Sequence, residues 1–127
     1  MTTRRTKIYF DGGARPNPGA MEIATVCRGV VHVERDLGVG TSLDAEWLAL
    51  IAALRLARAQ GLEDVLLLGD AAAVVAQANG AAPARGRAAQ HFAVFRALVG
   101  EGTAPRVRHV GRAQNLAGIA LARLHPR

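Results

Sequence analysis

Three acidic residues stand in settings that suggest a shared task. Asp11 closes the run Ile8-Tyr9-Phe10 and is followed at once by Gly12-Gly13 and the turn-rich stretch Pro16-Asn17-Pro18-Gly19. Asp70 closes a second apolar run, VLLL, after a single Gly69. Glu46 lies near the start of an alanine- and leucine-rich segment that opens at Thr41. Each acid has a plain reading of its own. Asp-Gly is a common turn pair, a strand end is a natural place for a polar cap, and a helix start favours negative charge. Taken jointly, they describe carboxylates that a fold can bring around one point. Carboxylates that close repel strongly unless a cation sits between them. Hard oxygen ligands select Mg²⁺ or Mn²⁺. Gly12 and Gly13 would then give a ligand close access to the main chain.

A definite set of elements is needed to bring the acids together. Strand signals cover residues 7–11, 21–28 and 30–37, and in the last of these Val31, Val33 and Arg35 alternate with His32, Glu34 and Asp36, as in a half-exposed strand. The Arg28-Gly29 pair reads as a tight connection, so these strands form an antiparallel meander. Thr41 and Asp44 match a helix cap and its third helical position, and the helix runs over 41–60 to a stop at Gly61. Residues 64–70 read as a buried strand in a parallel pairing. Helices follow over 71–79 and 87–99, then a strand over 106–110 and a last helix over 113–124. The order βββαβααβα predicts an α/β fold, one mixed five-stranded sheet with helices on both faces. A polar site is expected where the first and fourth strands end. Asp11 and Asp70 leave that edge together, and the first helix lays Glu46 over them.

The 127 residues suit one domain, 1–127, and half of them are apolar, which excludes a disordered chain. No apolar run nears the roughly 18 residues of a membrane span. The opening MTTRRTK has no apolar signal core, and the lone Cys27 lies in an apolar stretch as a core residue, so a cytoplasmic protein is expected. Sixteen basic residues oppose ten acidic ones for a net charge of +6, and all the basic residues but Lys7 are Arg. Arginine pairs bidentately with phosphate oxygens, so this excess is a footprint of nucleic-acid contact, or else a solubilising surface. No carboxylate follows Glu101, while Arg106, Arg108, Arg112, Arg123 and Arg127 all do.

Over nearly its whole length the chain resembles the type 1 ribonuclease H family, most closely its compact, handle-less microbial branch. YFDGGARPNPG resembles that family's first strand and glycine-rich turn, and TSLDAEWLALIAAL its first helix. LLLGDAAAVVAQANG resembles its fourth strand and second helix. RVRHVGRAQNLAGIALARL resembles its closing strand and helix, where the usual pattern is Arg-x-x-Asn-x-x-Ala-Asp-x-Leu-Ala. The resemblance implies cleavage of the RNA strand of an RNA–DNA hybrid, with two divalent ions roughly 3.5–4 Å apart flanking the scissile phosphate. It implies catalytic and metal-binding roles for Asp11, Glu46 and Asp70, with Asp11 shared between the ions. It also implies substrate contacts at Gly12, Gly13, Asn17, Ser42, Arg112 and Asn115, some of them to the 2′-hydroxyls that mark RNA.

The chain departs from the pattern at its fourth acid, which is Gly118 here. That loss implies a weakened ion on the water-activating side, hence reduced activity or a preference for Mn²⁺. The polar pair usual before the helix acid is Ser42-Leu43, and Ala71-Ala72 follow the third acid. His109 and Arg112 lie near where relatives place a residue aiding product release; a strand-end histidine and a phosphate-contacting arginine are the quieter readings. Two functions compete: a metal-dependent ribonuclease H, and a weakened or inactive domain that only binds hybrid or double-stranded RNA. A related exonuclease is disfavoured by the short chain. No membrane and no obligate protein partner are indicated.

Overall fold

A computed structural model describes residues 5–100 and 102–125; the first four residues, Glu101 and the last two, including Arg127, lie outside them. The elements are β1 (Thr6–Arg15), β2 (Gly19–Cys27), β3 (Val30–Glu34), β4 (Val39–Gly40), α1 (Ser42–Ala59), β5 (Val65–Gly69), α2 (Ala72–Ala78), α3 (Arg87–Val99), β6 (Arg106–His109) and α4 (Leu116–Ala122). The sheet runs β3-β2-β1-β5-β6, with β1, β2 and β3 antiparallel and β5 and β6 parallel to β1. A sixth strand was not expected: the two-residue β4 pairs with the start of β2.

Alternation along β1 decides which layer each residue joins. Ile8 and Phe10 face α1 and form the main core with Trp47, Leu50, Leu54, Leu67, Phe95 and Val107. Tyr9 lies on the opposite face with Ala24, Val26, Ala117 and Leu121, beneath α4. With helices on both faces, β2 is buried almost continuously from Met21 to Cys27, unlike a one-sided strand. α1 lies close to the sheet because Ala45, Ala49, Ala53 and Ala57, spaced one helical turn apart, are all fully buried. The expected cap is present: Thr41 and Asp44 exchange side-chain and backbone hydrogen bonds. Burial alone would raise the Asp44 carboxyl, but the Thr41 amide and hydroxyl, His91 and Arg87 outweigh it and hold it well below the usual carboxylate range.

Three boundaries differ from expectation. β1 does not end at Asp11; it continues through both glycines to Arg15, paired with β2 throughout. The reason is α1. A Cβ on Gly12 would lie 2.2 Å from the Ala45 carbonyl oxygen, so this glycine makes room for the helix rather than a turn. β3 is exposed at every residue and stops at Glu34, short of 37, so it is an edge strand wet on both faces. α4 starts at Leu116 rather than 113, because the Asn115 side chain caps it by accepting from the Ala117 amide after a 3₁₀ turn over Arg112–Gln114. The Arg28-Gly29 connection is tight as read, with φ of 52° and 79°. Among the described residues no helix is long and apolar enough to cross a membrane.

Candidate active site

The pairing of β1 with β5 ends at Tyr9 and Leu68, and extending that register by two residues sets Asp11 beside Asp70. There the strands part, since β1 stays with β2 while the chain after Asp70 turns into α2. Gly69 is required just before this point, because a Cβ there would lie 2.3 Å from the Phe10 ring. α1 crosses above and delivers Glu46 from its second turn. One carboxylate oxygen each from Asp11, Glu46 and Asp70 lie within 4.8 Å of one another.

The main chain fixes two of these acids. The Gly12 amide donates to Glu46 Oε1 at 2.8 Å. Asn115 is fully buried and its Nδ2 donates to both the Phe10 carbonyl, at 3.0 Å, and Asp70 Oδ2, at 2.9 Å. With its Oδ1 committed to the α4 cap, Asn115 lies behind the acids. Expected as a substrate contact, it is placed with its side chain on the Phe10 carbonyl, Asp70 and the α4 cap.

Burial and mutual charge raise the Asp11 and Glu46 carboxyls of this cluster. Burial, reinforced by the hydrogen bond and charge of Asp11, pushes the Glu46 carboxyl far above the usual carboxylate range. Asp11 is also raised, by burial first and by Asp70, although Glu46, Arg112 and the Gly12 amide oppose the rise. Both shifts favour a protonated carboxyl in the pair when no cation is near. Glu46 Oε2 is buried and has no hydrogen-bond partner. A buried oxygen without a partner, on a residue of an all-oxygen cluster, fits a hard divalent ion.

Around the acids is a cavity of about 660 Å³, lined by Gly13, Ser42, Arg112 and Gly118 among others. Nothing lies within 4 Å of a Cβ built on Gly13, so this glycine does face open space. A Cβ on Gly118 would stand 3.4 Å from Asp11 Oδ2 and 3.6 Å from Asp70 Oδ2, directly against the cluster. Asn17 and His109 do not line the cavity. Asn17 Oδ1 instead accepts from the Ser42 amide at 3.0 Å and ties the proline turn to the start of α1. His109 ends β6, exposed. The sequence reading passed over Glu22, a buried carboxylate on β2 that lines the same cavity. Its signal was there: a lone acid inside the apolar run AMEIATVC.

Comparison with known proteins adds to this geometry. A family model described as reverse transcriptase-like matches residues 10–125. A ribonuclease HI of Halobacterium salinarum is 40% identical over 82 residues, a match covering 61% of this chain and 41% of that protein's length. The crystal structure of ribonuclease H1 from the same archaeon superposes with a TM-score of 0.83 at 31% identity, covering 93% of this chain and 94% of that one. LC11-RNase H1 in complex with an RNA/DNA hybrid gives a TM-score of 0.79 at 27% identity, over 92% and 93% of the two chains. The N-terminal ribonuclease H domain of a Mycobacterium tuberculosis protein, 24% identical with a TM-score of 0.80, covers 98% of this chain and 100% of that one and shares the fold.

Proposed function

The chain belongs to the ribonuclease H family of reverse transcriptase-like proteins, and from that premise we propose that it is a divalent-metal-dependent endonuclease that cleaves the RNA strand of RNA–DNA hybrids. The observation that carries this reading is the convergence of Asp11, Glu46 and Asp70, with one carboxylate oxygen of each within 4.8 Å of the others. Residues 1–127 act as one ribonuclease H-like domain. Asp11, Glu46 and Asp70 would hold Mg²⁺ or Mn²⁺, with Asp11 central. Bound there, the metal supplies Lewis-acid stabilisation of charge on the phosphate and makes water nucleophilic at neutral pH.

The remaining work falls to the chain. The Gly12 amide and Asn115 lock the Glu46 and Asp70 carboxylates in place. Arg112 stands at the cavity rim, close enough to lower the Asp11 carboxyl, and meets a substrate phosphate. Gly13 and Ser42 leave main-chain and hydroxyl groups facing the cavity for the sugar–phosphate backbone. The hybrid complex of LC11-RNase H1 supports this substrate class.

Metal-titrated cleavage of a labelled RNA–DNA hybrid, run beside duplex DNA and duplex RNA, tests the proposal. Cleavage confined to the hybrid's RNA strand and abolished by Asp11→Asn is expected. A second reading, a domain that binds hybrid or double-stranded RNA without cutting, is favoured by Gly118, which leaves the acid cluster open on its α4 side. Hybrid binding without cleavage in either metal would select it.

A further inference from the structure

Glu22 is 6% exposed, and the β1–β2 register shows where it points. Asp11 is opposite Ala24 and Gly13 is opposite Glu22, so Asp11, Gly13 and Glu22 share the face of the sheet that α4 covers. Its neighbours on that face of β2, Ala24 and Val26, are buried and apolar. Both Glu22 oxygens lie 2.8 Å from His125 Nε2, just beyond the end of α4, and Arg35 Nε stands 3.9 Å away.

One account makes Glu22 a tether for the end of α4. That account does not explain why the acid borders the cavity that Asp11, Asp70 and Gly118 also line. Gly118 leaves a gap against Asp11, and Glu22 is the further carboxylate lining that cavity.

We propose that Glu22 supplies, from β2, the fourth carboxylate that α4 lacks, holding water of the metal centre while His125 fixes its orientation. It is a positioning residue: the tight cluster is Asp11, Glu46 and Asp70, and Glu22 acts on it through water. The inference rests on the metal-centre reading above, and the test keeps the two apart.

The measurement is Mn²⁺ binding to the full chain without substrate, by calorimetry and electron paramagnetic resonance, with thermal melts alongside. Glu22→Gln should weaken Mn²⁺ binding about tenfold or more, the usual effect of losing a group that supports a metal's ligands. Gly118→Asp added to Glu22→Gln should restore it. His125→Gln should lower the melting temperature but cost Mn²⁺ affinity less than Glu22→Gln does. Unchanged Mn²⁺ binding in Glu22→Gln, with a melting temperature lowered as in His125→Gln, overturns the proposal in favour of the tether. If Glu22→Gln alone does not fold, the Glu22→Gln/His125→Gln pair keeps a neutral hydrogen bond and is compared with His125→Gln, so that the difference isolates the carboxylate. Asp11→Asn is the control. Wild type that binds no Mn²⁺, or binds it equally well as Asp11→Asn, removes the metal centre and this inference with it; loss of binding in Asp11→Asn alone, with Glu22→Gln unaffected, removes only the inference.

Discussion

An aspartate at position 118 would start from a Cβ in ordinary contact with the Asp11 and Asp70 carboxylates, with no backbone atom among its nearest neighbours. The third position of α4 also tolerates the change, because glycine is a poor helix former and an acid near a helix start is favoured. Gly118→Asp is therefore expected to raise Mg²⁺-supported hybrid cleavage, by about tenfold on the scale of outer-ligand effects. Wild type should gain more from replacing Mg²⁺ with Mn²⁺ than the variant does, which initial rates in both metals will show. A second expectation concerns protons. Glu46 and Asp11 have folded pKa values above their unfolded ones, 4.5 and 3.8. The stability they contribute is whole below those values and is lost as pH rises toward the folded ones. In EDTA, the melting temperature should fall between about pH 5 and pH 8, and Glu46→Gln should flatten that slope. Asp44 works the other way: its carboxyl is held low, so its contribution is present above 3.8 and disappears as pH falls below it.

Between elements, Asn115 is the joint on which the site depends. It caps α4, reaches the β1 main chain and orients Asp70. Asn115→Ala removes a cap and takes this donor from the buried Phe10 carbonyl and the half-buried Asp70 carboxylate, at a cost of about 2–4 kcal/mol. Urea melts check the stability loss, and Mn²⁺ titration checks the loosening of Asp70. The sequence made the strands, the first helix and the three acids readable because periodicity and caps are local signals. It hid what depends on packing partners. That Gly12 also makes room for α1, and that Asn17 also braces its start, shows only once those elements are packed together. Glu22 went unread because nothing local says that an acid inside the buried run of β2 borders the cavity of the other three.

Across the chain as a whole, charge and topology act together. Arg106 and Arg108 lie on the same side of β6, opposite the buried Val107, so one ligand can meet both. Hybrid affinity should therefore fall at least tenfold between about 50 and 200 mM salt, measured by fluorescence anisotropy. A flat response would reduce the arginines to a solubilising coat. The bond from Asn115 to the Phe10 carbonyl spans 105 positions, joining the opening strand to the last helix. Contacts between such distant segments form late, after the intervening chain has lost its freedom. The order in which the acids are synthesised is thus not the order in which the centre becomes competent. A nascent chain that has already released Asp11, Glu46 and Asp70 still lacks the donor that orients Asp70, because Asn115 stands at the start of α4.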